Sequence, residues 1–374
     1  MTVLQRERMK HPMFEYHLLL AATVFLFAIG LIMVASASSV YSYQVNGSSY
    51  SLALRQALFG GIGCLSMWYA SNMKVSTIRR LSTLVLLGVI ASLVLVLVIG
   101  TSVNGQQNWI EIWGPFRFQP SEFAKLAIVV WGAHILALKW PLLNQPIHLM
   151  VPYALVCVLV IVLIGLEGDV GTAIVMGPIM ASPLFFVGAP KRWFVGIAVL
   201  ALVAIAVMTK AAPYRIARFT SWRNQGVDEQ GAGYQLFHGQ LALGSGGWTG
   251  LGLGASREKW GTLPEAHTDF IYAILGEELG ILGTLTVLLL FMVIAIVAVR
   301  VARNSRDHFV QLTSMGIAVW IMTQMIVNIG AVLGVMPITG VPLPLVSYGG
   351  SSLIPTLIAM GVLMAFAKPD ESAL

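Results

Sequence analysis

Charge is what this 374-residue sequence has least of: 10 % of its residues are Asp, Glu, Lys or Arg, against about 25 % in an ordinary soluble domain. So little charge cannot cover a water-facing surface, which excludes an ordinary soluble enzyme. Cysteine is nearly absent. Cys64 and Cys157 both fall inside apolar runs, with no CxxC-type spacing, which excludes a disulfide scaffold and leaves core filler. The seven histidines are scattered, none with a His or Cys partner at metal-ligand spacing, so His267 reads as a structural hydrogen-bonding residue before a zinc ligand. No GxSxG elbow and no HExxH occurs, which leaves little support for an intramembrane serine hydrolase or a zinc protease. No repeat of fixed period is visible; an inverted repeat of the transporter kind leaves only weak sequence symmetry and stays open.

What is abundant is apolar surface: 57 % hydrophobic residues and a mean hydropathy of +0.82. A run of about 20 apolar residues crosses a bilayer. Such runs lie near 17–37, 56–72, 81–100, 123–138, 150–166, 171–188, 193–209, 270–299, 309–333 and 353–367. The chain reads as an all-α integral membrane protein, one polytopic domain over 1–374, with its ends (1–16 and 368–374) on the same side. Basic residues precede the first run as in a signal peptide, but no small-residue cleavage site follows, so it reads as a retained span.

Basic residues resist translocation, so the side whose short loops carry Lys and Arg is the cytoplasm. Arg6, Arg8, Lys10, Lys74, Arg79, Arg80, Lys139, Lys191, Arg192, Arg300, Arg303, Arg306 and Lys368 fall there, with the termini. The other side holds Arg55, Arg117 and Lys125, and a long outer loop, 210–269, with Lys210, Arg215, Arg218, Arg223, Arg257 and Lys259. The net charge of +6 is therefore largely topological, and loops this short hold no domain able to read nucleic acid.

Three outer segments interrupt the helical pattern. Residues 101–122 combine Gly, Pro and polar residues with Trp109, Trp113, Phe116 and Phe118, which suits an interfacial hairpin or a partly embedded loop. The 210–269 loop is long enough to be functional, and its middle, Tyr234 to Leu243, has the pattern of a short amphipathic helix. In 335–352, Pro337, Pro342 and Pro344 exclude a regular helix at membrane depth, so that backbone has to be buried in protein or line a wet cavity.

Ionisable groups in or beside spans are costly and mark function by default. Asp269 stands where the long loop enters the eighth span. On spacing alone it is either an N-cap, placing negative charge at a helix N-terminus, or a catalytic group. Glu277 lies roughly 80° around the helix from Asp269 and Glu278 lies opposite, at about 100° per residue. One of the two faces the same cavity, or both are buried carboxylates paired to a neighbouring helix. Glu122 and Lys125, at i, i+3, suit a local ion pair, or Lys125 meets a lipid-linked phosphate. Asp169 follows the turn Glu167-Gly168 and again fits an N-cap. Arg215 and Arg218, three apart, suit either a diphosphate clamp or snorkelling at the membrane surface. The glycine run from Gly244 to Gly254 has the look of a phosphate cradle, but no strand precedes it and no GK[ST] follows, which argues against a nucleotide loop.

Read together, NGQQNWIEIWGPFRFQPSEFAKLA, EGDVGTAIV, GYQLFHGQLALGSGGWTGLGLGASREKWGTLPEAHTDFIYAILGEELGILG and NIGAVLGVMPITGVPLPLVSYGGSS resemble the SEDS family (shape, elongation, division and sporulation) over about residues 14–368. Trp248 after SGG, and the wording LPEAHTDFIYA, look more like its division branch than its elongation branch. The resemblance implies ten transmembrane helices and a peptidoglycan glycosyltransferase that polymerises lipid II outside the cytoplasmic membrane, at the division septum. It implies lipid II and undecaprenyl-linked glycan as ligands, and a class B penicillin-binding protein and other division-complex proteins as partners. By motif position Asp269 matches the family's essential aspartate. Glu122 and Lys125 match its PSE-x-x-K element, Asp169 its D-x-G-T element, and Ser347, Gly349 and Gly350 its S-Y-G-G element. Many relatives place Arg before the Trp where this chain has Asn108 before Trp109, so that contribution has to come from elsewhere, with Arg117 as a candidate.

The mechanism so implied uses Asp269 as general base on the GlcNAc 4-hydroxyl, with inversion at the MurNAc C1. The expected substrate-binding set is Gln119, Glu122, Lys125, Asp169, Arg215, Arg218, Glu277 and Ser347. Lys125, Arg215, Arg218 or a divalent Mg or Mn ion would neutralise the leaving diphosphate, and no organic cofactor is expected. The rivals are an elongation-type polymerase, a lipid II flippase and a non-enzymatic scaffold. One geometric condition follows: Asp269, Lys125, Asp169 and 335–352 must converge on one outward-open cavity.

Overall fold

The computed structural model describes residues 13–103, 106–113, 116–143, 145–199, 222 and 233–368. In lipid a backbone amide finds no water, so an apolar run closes its hydrogen bonds within itself as a helix. The helices are α1 (Phe14–Ala37), the short α2 (Ser39–Asn46), α3 (Ser51–Ser71), α4 (Val75–Ile99), α5 (Pro120–Leu138), α6 (Leu155–Leu166), α7 (Val170–Phe186), α8 (Tyr234–Ser245), α9 (Ile271–Asn304), α10 (His308–Val332) and α11 (Gly350–Ala367). Among the described residues six are long and apolar enough to cross a membrane: α1, α4, α5, α9, α10 and α11. Val151–Leu166 and Val170–Phe186 are shorter apolar helices. α3 has the length but dilutes its apolar run with Arg55, Gln56 and three glycines. The seventh span begins as a helix at 191–199; its remainder lies outside the described residues, as do Arg215 and Arg218.

The loops assigned together by their charge do share one end of the bundle. There Arg79 donates to both carboxylate oxygens of Asp307 at 2.8 and 2.6 Å, Lys368 Nζ donates to Asn72 Oδ1 at 2.8 Å, and Trp140 stacks on His308 with centroids 3.6 Å apart. At the opposite end the expected hairpin takes the form of a small three-stranded sheet beside the helices. Strands β1 (Thr101–Val103), β2 (Gln106–Trp113) and β3 (Phe116–Phe118) pair antiparallel in that order, with Ser102 opposite Gln107 and Ile110 opposite Phe118. Trp, Ile and Phe favour extended backbone. α5, α10 and α11 are the most enclosed of the long helices, whereas α4 and α9 turn Leu84, Leu87, Leu285 and Leu289 outwards. The enclosed helices carry the site.

Candidate functional site

The site forms around backbone that is not helical. Between α10 and α11, residues 335–349 have no regular structure, since proline withholds its amide donor and clashes with a preceding helical turn. Neighbouring side chains supply the missing partners. From α3, the buried Gln56 donates through Nε2 to Ser347 O at 3.1 Å, and its Oε1 accepts from Gly349 N at 3.1 Å. From α10, Gln324 Nε2 donates to Pro342 O at 3.0 Å and Asn328 Nδ2 to Val341 O at 2.8 Å. The segment is held firmly enough to keep Leu345 at φ +64°, a left-handed conformation that branched side chains seldom adopt.

The residues before α9 dock on this segment. Asn328 Nδ2 also donates to Asp269 O at 2.9 Å, Ser347 Oγ donates to Thr268 O at 2.7 Å, and Tyr348 N donates to His267 O at 3.0 Å. The half-buried Asp269 carboxylate lies beside Gly340, where an added β-carbon would stand 3.7 Å from Oδ2. The N-cap position of α9 belongs to Phe270, which makes no side-chain cap bond, so Asp269 stands one residue outside the ordinary capping position. His267 stacks on Tyr41 with centroids 5.1 Å apart and tilts against Tyr348 at 5.6 Å. Burial pushes its imidazole below the ordinary range, against the opposing pull of Glu265.

Asp169 reaches the same segment from α7. It is the N-cap there, Oδ1 accepting from Thr172 N at 2.9 Å, while Oδ2 accepts from Gln119 Nε2 at 2.9 Å and Ser121 Oγ at 3.0 Å. One carboxylate thus pins the starts of α5 and α7 together. Gly171 lets α7 abut the segment: a β-carbon there would come within 2.4 Å of Thr339 O. Behind it, Lys125 Nζ donates to Glu122 Oε1 at 2.7 Å and to Gln324 Oε1 at 3.2 Å, with Trp320 beneath it at 5.7 Å. Of the two readings of Lys125, the local ion pair is the one formed, and at 1 % exposure the ammonium stands behind the segment.

Asp269, Asp169, Gln119, Lys125 and Ser347 therefore converge on 335–349. Glu277 does not join them. Its carboxylate accepts from Ser256 Oγ at 2.5 Å, Arg257 N at 2.9 Å and Glu258 N at 3.4 Å, because α9 breaks at Gly280 (φ +65°) and the loop before it is sewn into the break. Leu251 N donates to Glu277 O at 2.9 Å, and Ile281 N to Gly247 O at 3.0 Å. A β-carbon on Gly250 would stand 2.2 Å from Glu278 O, so the glycine run serves close backbone packing. Glu278 Oε1 accepts from Ser36 Oγ at 2.6 Å and Lys259 Nζ at 3.1 Å. Arg117 pairs with Glu111 at 3.3 Å on the sheet, while Asn108 is buried. Among the described residues no group of three or more His, Cys, Asp or Glu side chains is arranged to hold a metal ion. Gln56, Gln324 and Asn328 escaped a reading that weighed ionisable groups; the signal was there, since a neutral amide inside an apolar span also needs a partner.

The chain as a whole is similar to known proteins. A family model described as a cell cycle protein, covering FtsW, RodA and SpoVE, matches residues 16–371. The probable peptidoglycan glycosyltransferase FtsW of Mycobacterium tuberculosis is 38 % identical over 97 % of this chain and 69 % of its own length. Stage V sporulation protein E of Bacillus subtilis is 40 % identical over 94 % of this chain and 96 % of its own. Among solved structures, a chain of a peptidoglycan synthase complex that coordinates polymerization and crosslinking superposes with a TM-score of 0.74 at 28 % identity, covering 93 % of this chain and 96 % of that one. The rod shape determining protein RodA of Thermus thermophilus superposes at 0.69 with 27 % identity, covering 93 % and 95 %.

Proposed function

This chain belongs to the FtsW/RodA/SpoVE family, and on that premise we propose that it is a multi-pass peptidoglycan glycosyltransferase of the cytoplasmic membrane, polymerising lipid II at the outer face during cell division with Asp269 as base. The observation that carries the site assignment is the docking of the Asp269 turn on 335–349, between the Asp169 cap and the buried Lys125 pair. The orientation, with both termini in the cytoplasm, is supported by the cationic end of the bundle.

In the reaction, the Asp269 carboxylate takes the proton of the GlcNAc 4-hydroxyl on an incoming lipid II as that oxygen attacks C1 of the MurNAc at the growing end. The C1–O bond to undecaprenyl diphosphate breaks, and attack opposite an α-linked leaving group yields a β-linkage with inversion. Asp269 then returns its proton to solvent. The diphosphate leaves as an anion, so it needs positive charge more than a protonating acid. Lys125 is already engaged by Glu122, which leaves Arg215 and Arg218 as the direct ligands of choice. Among the described residues no three His, Cys, Asp or Glu side chains gather to hold a Mg or Mn ion.

A class B penicillin-binding protein is the partner this reading requires, and the synthase-complex neighbour supports it. The division role is supported by the FtsW names of the relatives. The test is reconstitution of the purified protein with its class B partner in liposomes carrying labelled lipid II. Glycan polymer is the expected product; label that crosses between leaflets without polymer would instead indicate a flippase.

A further inference from the structure

One carboxyl group at the site has no place in that mechanism. Glu167 sits in the turn between α6 and α7, 1 % exposed, and neither of its carboxyl oxygens has a hydrogen-bond partner among the described residues. Two residues on, Asp169 holds three donors. The turn is not free to swing out, since Gln107 N on β2 donates to Glu167 O at 3.1 Å. A buried carboxylate with no donor is among the most costly groups a fold can carry, whereas the protonated acid is tolerated and brings a hydroxyl of its own to donate. A single proton on Glu167 accounts for the turn's uncompensated acid.

From this geometry we propose that Glu167 is carried as a neutral carboxylic acid in the working enzyme and is a positioning residue, whose proton keeps the Glu167–Asp169 turn at one negative charge. The role rests on the glycosyltransferase reading. With one charge, Asp169 holds Gln119, Ser121 and the start of α7 in register against the 335–349 segment. With two, the carboxylates repel across the turn, and the site that must accept an anionic diphosphate becomes more negative.

The groups that hold the turn are uncharged: Gln107 N on the sheet bonds the Glu167 carbonyl, and the neighbouring Asp169 is held by Gln119 and Ser121 at the start of α5 and by Thr172 N on α7. Asp169 is the one charged side chain among the described residues that acts on Glu167, and burial together with that neighbour raises the Glu167 carboxyl to about 9.

Two measurements test the assignment. Infrared difference spectra between wild type and Glu167→Gln at neutral pH should show the carbonyl stretch of a protonated acid in wild type alone; its absence would overturn the proposal whatever the activity. In the polymerisation assay with the class B partner, one pH unit above its midpoint only about a tenth of Glu167 keeps the proton. Wild type should therefore lose roughly tenfold relative to its own peak there, and Glu167→Gln, which cannot ionise, roughly twofold or less. Superimposable profiles from two polymerising proteins would refute the positioning role. Failure of both proteins to polymerise would count against the glycosyltransferase reading, and the infrared result still decides the protonation state.

Discussion

Consider cutting the buried pair behind the site. Glu122 and Lys125 meet at 2.7 Å with side chains 5 % and 1 % exposed, so neither has water to fall back on. Removing one partner of such a pair costs about 3–5 kcal/mol, because the other is left as an uncompensated buried charge. The surroundings rank the two cuts. In Glu122→Leu, Lys125 keeps Gln324 Oε1 at 3.2 Å and the Trp320 ring at 5.7 Å, which holds the loss near the lower bound, about 3 kcal/mol. In Lys125→Met, Glu122 loses the Lys125 donor, and among the described residues its Oε2 already lacks a partner; the loss approaches about 5 kcal/mol. The double variant replaces the pair by apolar side chains of similar volume and should return to within about 1 kcal/mol of wild type. Equilibrium unfolding of the four proteins in one detergent closes the cycle. If the double variant were as unstable as the sum of the single ones, or if both single variants cost under about 0.5 kcal/mol, the pair would not be the buried, mutually dependent unit inferred here.

Three further outcomes follow from the contacts. Gly171→Ala should displace Thr339 and cut polymerisation at least tenfold, whereas Gly177→Ala on the same helix, where an added β-carbon meets nothing within 4 Å, should leave both rate and stability near wild type. Asn328→Leu strands the carbonyls of Asp269 and Val341 and should cost about 2 kcal/mol in unfolding experiments, with a fall in kcat although the carboxylate of Asp269 is untouched. Because the Glu167 carboxyl is raised in the fold to about 9, its contribution to stability is fullest below the ordinary carboxylate range. It declines as the pH climbs towards 9 and is flat above; melting curves of wild type should show that slope and those of Glu167→Gln should lack it.

How much of this was legible in the chain depends on which force wrote it. Helices such as Val75–Ile99 and His308–Val332 announce themselves, since an apolar run in lipid has few alternatives, and Tyr234–Ser245 follows its amphipathic pattern. The Asp169 cap was legible because Asp before a helix start is a local signal. Its second oxygen, bound to Gln119 and Ser121, was not, because those residues lie about 50 positions away. Glu277 misled for the same reason: an angle measured around the helix takes no account of the distant loop, Ser256 to Glu258, whose donors take up its carboxylate. The prolines of 335–352 showed that helix was impossible there; only the fold shows that Gln56, Gln324 and Asn328 replace the missing backbone partners. Glu167 was read as part of a turn, and its isolation depends on what fails to approach it.

The account stands most directly on Asp269. Asp269→Asn keeps the size of the side chain and the backbone bond from Asn328, so the purified variant should match wild type in unfolding and in co-purification with its class B partner. Incubated together with lipid II, it should form no polymer under conditions in which wild type consumes the substrate. Polymerisation at a near wild-type rate would remove the base from the mechanism and contradict the central claim.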